Sequence, residues 1–301
     1  MRTTIILSVV MVAAVCAGCG ERQEAKLGSA ARPIEMAMVP SVETQKLLAS
    51  GEALARLLEK ETGYKFRASV PTSYAAVIEA MAAGKVDVGW LSPLPYVLAH
   101  SKYGAEVILV TVRGNLTHYQ SFIVVRADSG INKLEDLKGK KFAYGDPIST
   151  SGSIYPKHLI RTSGYDPERF FSSVIYAGKH DAVISAVVSR QVDGGAIYGS
   201  EVSDARELVQ RTIPDVMKLT KVIARSEPIP NDTVSVRKGL PKEMVRKIRD
   251  GLIKVAQSDE GRRTVMDLYG IDGFKPAKDS DYDSVRRVAR AEGITLEQFR
   301  K

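Results

Sequence analysis

The chain has 301 residues, 43 Lys and Arg against 35 Asp and Glu, a formal charge of +8, and two cysteines. Basic and acidic residues are interspersed and no aromatic–basic array appears, which argues against a nucleic-acid partner. Both cysteines, Cys16 and Cys19, stand at the start, so a chain that has lost its leader holds no disulfide, no cysteine metal cluster and no thiol nucleophile beyond Cys19.

Met1-Arg2 is a short positive start, and Ile5–Val15 is an apolar run. Such a run is too short to span a bilayer as a helix and suits a signal-peptide core. Cys16-Ala17-Gly18-Cys19 resembles the bacterial lipobox, in which small residues precede the modified cysteine. Cys19 fits that place better than Cys16, which follows Val15, although lipoboxes usually carry Leu where Cys16 stands. An ordinary secretory leader with an incidental Cys19 is the alternative, and the lipobox is favoured. Residues 1–18 are therefore read as a signal peptide and 19–32 as a lipidated tether, because Gly20–Ala31 is polar, small-residue-rich and unpatterned. Removing residues 1–18 takes away only Arg2 and leaves a charge of +7. That surface could help to collect anions, or could simply be a soluble one.

From Pro33 the pattern is α/β. Strands are predicted at Ile34–Val39, Tyr64–Val70, Val86–Leu91, Val107–Arg113, Gln120–Arg126, Lys141–Tyr144, Ser173–Ala177 and Val192–Tyr198. Helices are predicted at Ser41–Thr62, with Leu47, Leu48, Leu54, Leu57 and Leu58 along one side, at Ala75–Ala83, at Lys133–Leu137, over Ile154–Ser163 and from Asp181. No long apolar segment follows the leader, so nothing is expected to span the membrane after it.

The stretch Tyr144-Gly145-Asp146-Pro147-Ile148-Ser149-Thr150-Ser151-Gly152-Ser153 joins a buried strand to a helix start through a loop rich in hydroxyls. Unpaired first-turn N–H groups and the helix dipole make such a place an anion site, and Ser and Thr add donors without charge. Thr150 or Ser151 could equally serve only as a helix cap.

Residues 76–89 and 182–195 are identical at seven of fourteen aligned positions, at a constant offset of 106. Each match sits in the same place within a similar α/β series, which points to two comparable lobes facing across a cleft. The same offset sets Tyr74 opposite His180, each at the start of its helix.

Four segments carry a family resemblance: Ser73-Tyr74-Ala75-Ala76-Val77, Val86-Asp87-Val88-Gly89-Trp90-Leu91-Ser92-Pro93, Gly145–Gly152 and Tyr176-Ala177-Gly178-Lys179-His180-Asp181. Together they resemble the phosphonate/phosphite-binding proteins of bacterial ABC importers, over most of residues 34–275. The Asp-Pro-x-Ser-Thr-Ser-Gly string is the most specific part. The resemblance implies an α/β, type II periplasmic-binding-protein fold, two lobes joined by two crossing segments. Lobe 1 would hold residues 33–121, lobe 2 residues 122–225, and residues 226–301 would return to lobe 1 and add C-terminal helices. It implies a ligand set of Tyr74, Tyr119, Ser149, Thr150, Ser151, His180 and Asp232, with Trp90, Ser92, Tyr96, Tyr198 and Glu201 as cleft-wall candidates. Relatives that bind aminoalkyl phosphonates carry an acid for the amine where this chain has Ile197-Tyr198-Gly199-Ser200-Glu201. Tyr198 or Glu201 could take that place, and a Tyr there would disfavour an amine-bearing ligand.

Each of these residues also has a plain structural reading. Tyr74 would be a helix-start residue, Tyr119 a core strand residue, His180 a surface cap or a satisfied buried histidine, and Asp232 a turn residue after Pro-Asn. His100, His118 and His158 lack metal-ligand spacing, so no metal and no cofactor are expected. The implied function is a monomeric solute-binding lipoprotein that delivers a tetrahedral phosphorus oxyanion to an ABC permease and ATPase at the periplasmic or extracytoplasmic face. Two alternatives remain. One is a sensory protein reporting an oxyanion to a membrane kinase. The other is a phosphotransferase with Ser149 or Ser151 as nucleophile and His180 as base, disfavoured because no base stands beside a nucleophile and no Walker loop is present.

Overall fold

The computed structural model describes residues 25–299; the leader and Cys19 lie outside the described residues. The first stretch of chain supplies β1 (Ile34–Met38), α1 (Thr44–Thr62), β2 (Phe66–Ser69), α2 (Tyr74–Ala82), β3 (Val88–Leu91), α3 (Pro93–Tyr103) and β4 (Glu106–Val112). The middle supplies β5 (His118–Arg126), β6 (Lys141–Tyr144), α4 (Tyr155–Thr162), β7 (Ser173–Tyr176), α5 (His180–Val188), β8 (Gly194–Gly199), α6 (Val216–Leu219), β9 (Thr220–Arg225) and β10 (Ile229–Pro230). The last stretch supplies β11 (Thr233–Val236), α7 (Lys242–Val255), α8 (Asp259–Tyr269), β12 (Gly273–Pro276) and α9 (Asp283–Ala291).

These strands form two sheets, one per lobe. Lobe 1 has the order β12-β4-β11-β3-β1-β2, and lobe 2 has β10-β5-β8-β6-β7 with β9 also on β5. In each sheet three strands are parallel, β2-β1-β3 and β7-β6-β8, and antiparallel strands complete the rest. Loops leaving the carboxyl ends of parallel strands are where ligands of open α/β sheets bind, and both lobes turn those ends toward one cleft.

The chain passes from the first sheet to the second through residues 113–117 and returns through 231–232, after β10. The expected boundary at 121 is late by a few residues because β5 already starts at His118, paired antiparallel with the returning β10: Tyr119 opposes Ile229 and His118 opposes Pro230. Asn231 ties the two crossings by donating its side-chain amide to the carbonyls of Thr111 and Leu116, at 3.0 Å each.

Both sheets are covered on both faces, as parallel sheets require. In lobe 1, Leu47, Leu54 and Leu58 of α1 bury against Ile34, Met36, Met38 and Val88, while Val77, Ile78 and Met81 of α2 cover the other face with Leu91 and Leu94. In lobe 2, Val183, Ile184 and Val187 of α5 pack on Phe122, Val124 and Ile197, and Ile160, Phe170 and Phe171 on Phe142 and Tyr144. Each such aliphatic side chain contributes about 1.5–3 kcal/mol of hydrophobic stabilisation. Leu48, placed on the apolar side of α1 by periodicity, is instead 37% exposed.

The internal repeat is a repeat of structure. Asp87 and Asp193 do the same work 106 residues apart: Asp87 accepts the N–H of Glu35 at 3.0 Å, and Asp193 accepts that of Lys141 at 2.9 Å. Gly89 and Gly195 lie where a Cβ would collide with Met81 of α2 and Val183 of α5 respectively, so the helix–strand approach in both lobes needs glycine.

The proposed tether ends earlier than residue 32. Leu27 packs against the lobe 1 core, the Gly28 N–H donates to the Arg32 carbonyl at 2.7 Å, and the Lys65 N–H donates to the Gly28 carbonyl at 2.8 Å. Composition alone did not reveal this because the bonds come from backbone, not from an apolar pattern. Among the described residues, no helix is long and apolar enough to cross a membrane.

Candidate functional site

The lobes enclose a cleft of about 970 Å³. Of the residues expected at a site, Tyr74, Tyr119, Ser149, Ser151, His180 and Asp232 all line it, as do Trp90, Ser92 and Tyr198.

Lobe 2 contributes the loop after β6. The turn Thr150–Ile154 is one wide turn that runs directly into α4, so the N-terminal end of a longer helix faces the cleft. Its first N–H groups lack acceptors within the helix. The Ser149 hydroxyl accepts the Gly152 N–H at 3.1 Å and caps the turn. The loop is drawn tight from below, since the Asp146 carboxylate accepts the N–H of Ile148 at 2.8 Å and Ser121 donates its hydroxyl to the Ser151 carbonyl at 2.6 Å.

Facing this loop is a set of phenols. The Tyr74 hydroxyl lies near the side chains of Ser149 and Ser41, and the Tyr119 hydroxyl near that of Ser151. Burial pushes the phenols of Tyr74, Tyr119, Tyr198 and Tyr269 upward, and the nearby Asp232 carboxylate adds to the effect. All four are therefore neutral donors near pH 7.

His180 opens α5 and is buried. Its ring meets Tyr198 edge-on, centroids 5.0 Å apart, and its Nδ1 is buried with no hydrogen-bond partner. Burial pushes its pKa down to about 4, so the ring is neutral at neutral pH and can offer one N–H. It is hydrogen-bonded through its ring to neither Ser149 nor Ser151, so no nucleophile–base pair is assembled.

At the hinge, Asp232 is not an isolated acceptor. Arg113 donates to its Oδ2 from Nη2 at 2.7 Å, and Arg113 also donates to the Tyr269 carbonyl at 3.0 Å and to Thr111 Oγ1 at 3.3 Å. Burial works against the Arg113 charge, but the attraction and hydrogen bond of Asp232 outweigh it and raise its pKa. Toward the mouth the lining carries exposed carboxylates, Glu43, Glu207 and Asp267, with the exposed cations Lys46 and Arg211. The chain's positive charge is thus not concentrated in the cleft.

Three expected residues stand elsewhere. The Thr150 hydroxyl does not line the cleft; it accepts the Leu94 N–H at 2.9 Å and faces Ser92 Oγ at 3.4 Å, capping α3 from the opposite lobe. Ser92 itself makes no side-chain cap there. Tyr96 lies in the core behind the cleft, donating to Asp279 at 2.7 Å and packed edge-on to Tyr282. Glu201 is exposed and off the cleft. Trp90 lines the wall and packs edge-on to Phe274, ring centroids 5.7 Å apart. Ser41, Arg113 and Tyr269 were not foreseen. Arg113 had one visible signal, a cation ending an apolar strand just where the chain was expected to cross between lobes.

The lobes are drawn together around the cleft. The His180 N–H donates to the Ser41 carbonyl at 3.0 Å, and Lys179 Nζ to Thr44 Oγ1 at 2.8 Å. Such an arrangement offers several fixed neutral donors beside the Arg113–Asp232 ion pair, which suits holding a small anion. Among the described residues, no group of His, Cys, Asp and Glu could hold a metal ion.

A family model described as "ABC transporter, phosphonate, periplasmic substrate-binding protein" matches residues 36–282. The chain is 28% identical to the phosphate-import protein PhnD of Mycolicibacterium smegmatis, over 96% of this chain and 95% of that one. It is 29% identical to the phosphonates-binding periplasmic protein of Escherichia coli K12, over 77% of this chain and 68% of that one. A solved binding protein component of an ABC phosphonate transporter from Pseudomonas aeruginosa shares the fold with a TM-score of 0.77, at 27% identity over 85% of each chain. The architecture is the type II periplasmic-binding-protein fold, and these relatives are substrate-binding proteins, not enzymes. With a family match covering both lobes and the whole cleft, the chain belongs to the periplasmic substrate-binding proteins of phosphonate ABC transporters.

Proposed function

We propose that this protein captures a phosphorus oxyanion (phosphonate, phosphite or phosphate) in its interlobe cleft and delivers it to an ABC permease and ATPase. One observation carries the reading: Ser149, Ser151, Tyr74, Tyr119 and a neutral His180 converge on the same cleft beside the Arg113–Asp232 pair. Hydroxyl, phenol and imidazole donors aimed from several sides suit a tetrahedral anion, and each hydrogen bond to a charged group contributes about 1.5–3 kcal/mol. Thr150 serves this reading indirectly, by holding the lobes closed.

Calorimetry of the mature chain with phosphite, phosphate, methylphosphonate and sulfate tests it. One of the phosphorus anions is expected to bind with one-to-one stoichiometry and to lose about tenfold to a hundredfold in affinity on Ser151→Ala. Absence of binding by all three phosphorus anions overturns the proposal. Attachment to the membrane through a lipid on Cys19 is part of the same proposal. Cys19→Ala is expected to release the protein to the soluble fraction or to block leader removal, and unchanged membrane association argues against the anchor.

A further inference from the structure

Among the described residues, Arg113 carries the one deeply placed cation of the cleft lining. Its side chain is 15% exposed and that of its partner Asp232 26%, whereas Lys46 and Arg211 are exposed at the mouth. A guanidinium carries five N–H donors in a rigid fork. Asp232, the Tyr269 carbonyl and Thr111 engage three of them, which fixes the plane of the group and leaves two N–H bonds over. Its field reaches the hydroxyls of both Tyr119 and Tyr198.

We infer that Arg113 is a specificity-determining residue. It engages the Asp232 carboxylate, supplies the counter-charge for a bound phosphorus anion, and turns away ligands that carry an ammonium group on a short arm from phosphorus. The inference rests on the reading of the cleft as a phosphorus-oxyanion site.

Asp232 alone would set a carboxylate near the incoming anion; paired with Arg113 it adds no net charge. A short-arm ammonium cannot leave the neighbourhood of its own phosphonate, so it must sit near the guanidinium. Like charges repel more strongly beside a largely buried guanidinium than in bulk water. The deep carboxylates that would otherwise receive an ammonium, Asp232 and Asp204, are already held by Arg113 and by Arg206. An uncharged alkyl arm meets no such penalty, and a cleft of about 970 Å³ leaves it room. The carboxylates at the mouth are exposed and screened, so they offer a short arm little.

Ethylphosphonate and 2-aminoethylphosphonate differ mainly in that ammonium, and calorimetry with both on the mature chain tests the inference. The native protein is expected to bind ethylphosphonate at least tenfold more tightly than 2-aminoethylphosphonate. Arg113→Lys, which keeps the charge, is expected to keep that order. Arg113→Gln is expected to weaken ethylphosphonate at least tenfold and to shrink or reverse the preference, because Asp232 is released to receive the ammonium. A native protein that binds 2-aminoethylphosphonate as tightly as ethylphosphonate overturns the inference, and so does a ratio that Arg113→Gln leaves unchanged. Should Arg113→Gln fail to fold, the native ratio and the Lys variant still decide. Failure of every phosphorus anion to bind the native chain would be a different result, removing the oxyanion reading itself.

Discussion

The two lobes begin their first helix in matching places and finish that beginning differently. The offset of 106 carries Glu43-Thr44 of lobe 1 onto Ser149-Thr150 of lobe 2. In lobe 1 the Glu43 carboxylate accepts the N–H groups of Gln45 and Lys46 at 2.9 and 3.1 Å, so the protein's own anion closes the start of α1. In lobe 2 the matching position is Ser149, whose hydroxyl accepts only the Gly152 N–H and brings no charge. A helix start carries partial positive charge in either case. The residue at this one position decides whether that charge is met from within or left for an outside anion.

The matching threonines serve closure in both directions. Thr150 of lobe 2 receives the Leu94 N–H of lobe 1, and Thr44 of lobe 1 receives Lys179 of lobe 2. The start of α5 adds a further bond, with the His180 N–H bound by the Ser41 carbonyl. Each lobe's first loop therefore meets a helix start of the other lobe.

Installing lobe 1's solution in lobe 2 should have the largest effect. Asp is as good an N-cap as Ser, so Ser149→Asp keeps the Gly152 N–H satisfied while placing a carboxylate where an anion would sit. Affinity for the best phosphorus anion is expected to fall at least a hundredfold, with the thermal midpoint of the ligand-free protein shifted by only a few degrees. Calorimetry and thermal unfolding measure both, and retained affinity would remove Ser149 from the site.

The second comparison is between the two second-helix starts, Tyr74 and His180. Both are buried, but only His180 has an ordinary pKa near neutrality. Its folded pKa of about 4 lies below the ordinary 6.5, so between those values the unfolded chain binds more protons than the folded one. The resulting stability is complete above pH 6.5 and is lost as pH falls toward 4. Its size is at most roughly 3 kcal/mol. Urea unfolding at about pH 7 and pH 4.5 should show a larger loss in the native protein than in His180→Gln, and saturating methylphosphonate should reduce that loss, because an anion against the ring favours its protonation. Equal losses in native and variant proteins would show that His180 is not buried as the neutral ring.

What could be read from the sequence followed the range of the interaction. Lys141–Tyr144 was predicted with the bounds of β6, because a short apolar run between polar residues is a local signal. The start of β5 was placed late, at Gln120, because His118 and Tyr119 are extended by pairing with Pro230 and Ile229 from the far crossing. Arg113 was overlooked because its meaning depends on Asp232, 119 positions away. Thr150 looked like one more donor beside Ser149 and Ser151, and nothing local shows that its hydroxyl is taken by Leu94, 56 positions earlier. Laying lobe 2's hydroxyl loop on lobe 1 lands at residues 43–45, next to Ser41, which the structure places in the cleft.

Thr150→Ala separates closure from contact with a ligand. It leaves Ser149, Ser151 and their donors in place but strips the cap from α3. Loss of an N-cap costs about 0.5–2 kcal/mol, and here the cap exists only when the lobes meet. Affinity is expected to fall about threefold to thirtyfold, with Thr150→Ser restoring it, and the ligand-free variant should scatter X-rays as a more open particle. A ligand-free radius of gyration equal to the native value would show that this bond does not hold the lobes together.

The smallest effect is expected at the closed lobe. Glu43 is exposed, and its two N–H partners belong to the first turn of its own helix, so Glu43→Gln weakens a local cap without opening the core. The exposed position places the cost at the low end for caps, about 0.5 kcal/mol. The substitution removes one negative charge from the cleft mouth, where solvent screens it, so affinity for a phosphorus anion should change by less than about threefold, and toward tighter binding. Set beside Ser149→Asp, this makes the contrast quantitative: a carboxylate added at the lobe 2 position should abolish capture, whereas one removed from the lobe 1 position should hardly alter it. A second anion bound per chain in Glu43→Gln, seen as a stoichiometry near two, would mean that the lobe 1 helix start is an anion site held closed by Glu43 alone. A stoichiometry of one would mean that position and dipole are insufficient, and that the phenols, His180 and Arg113 gathered around lobe 2's hydroxyl loop make the difference.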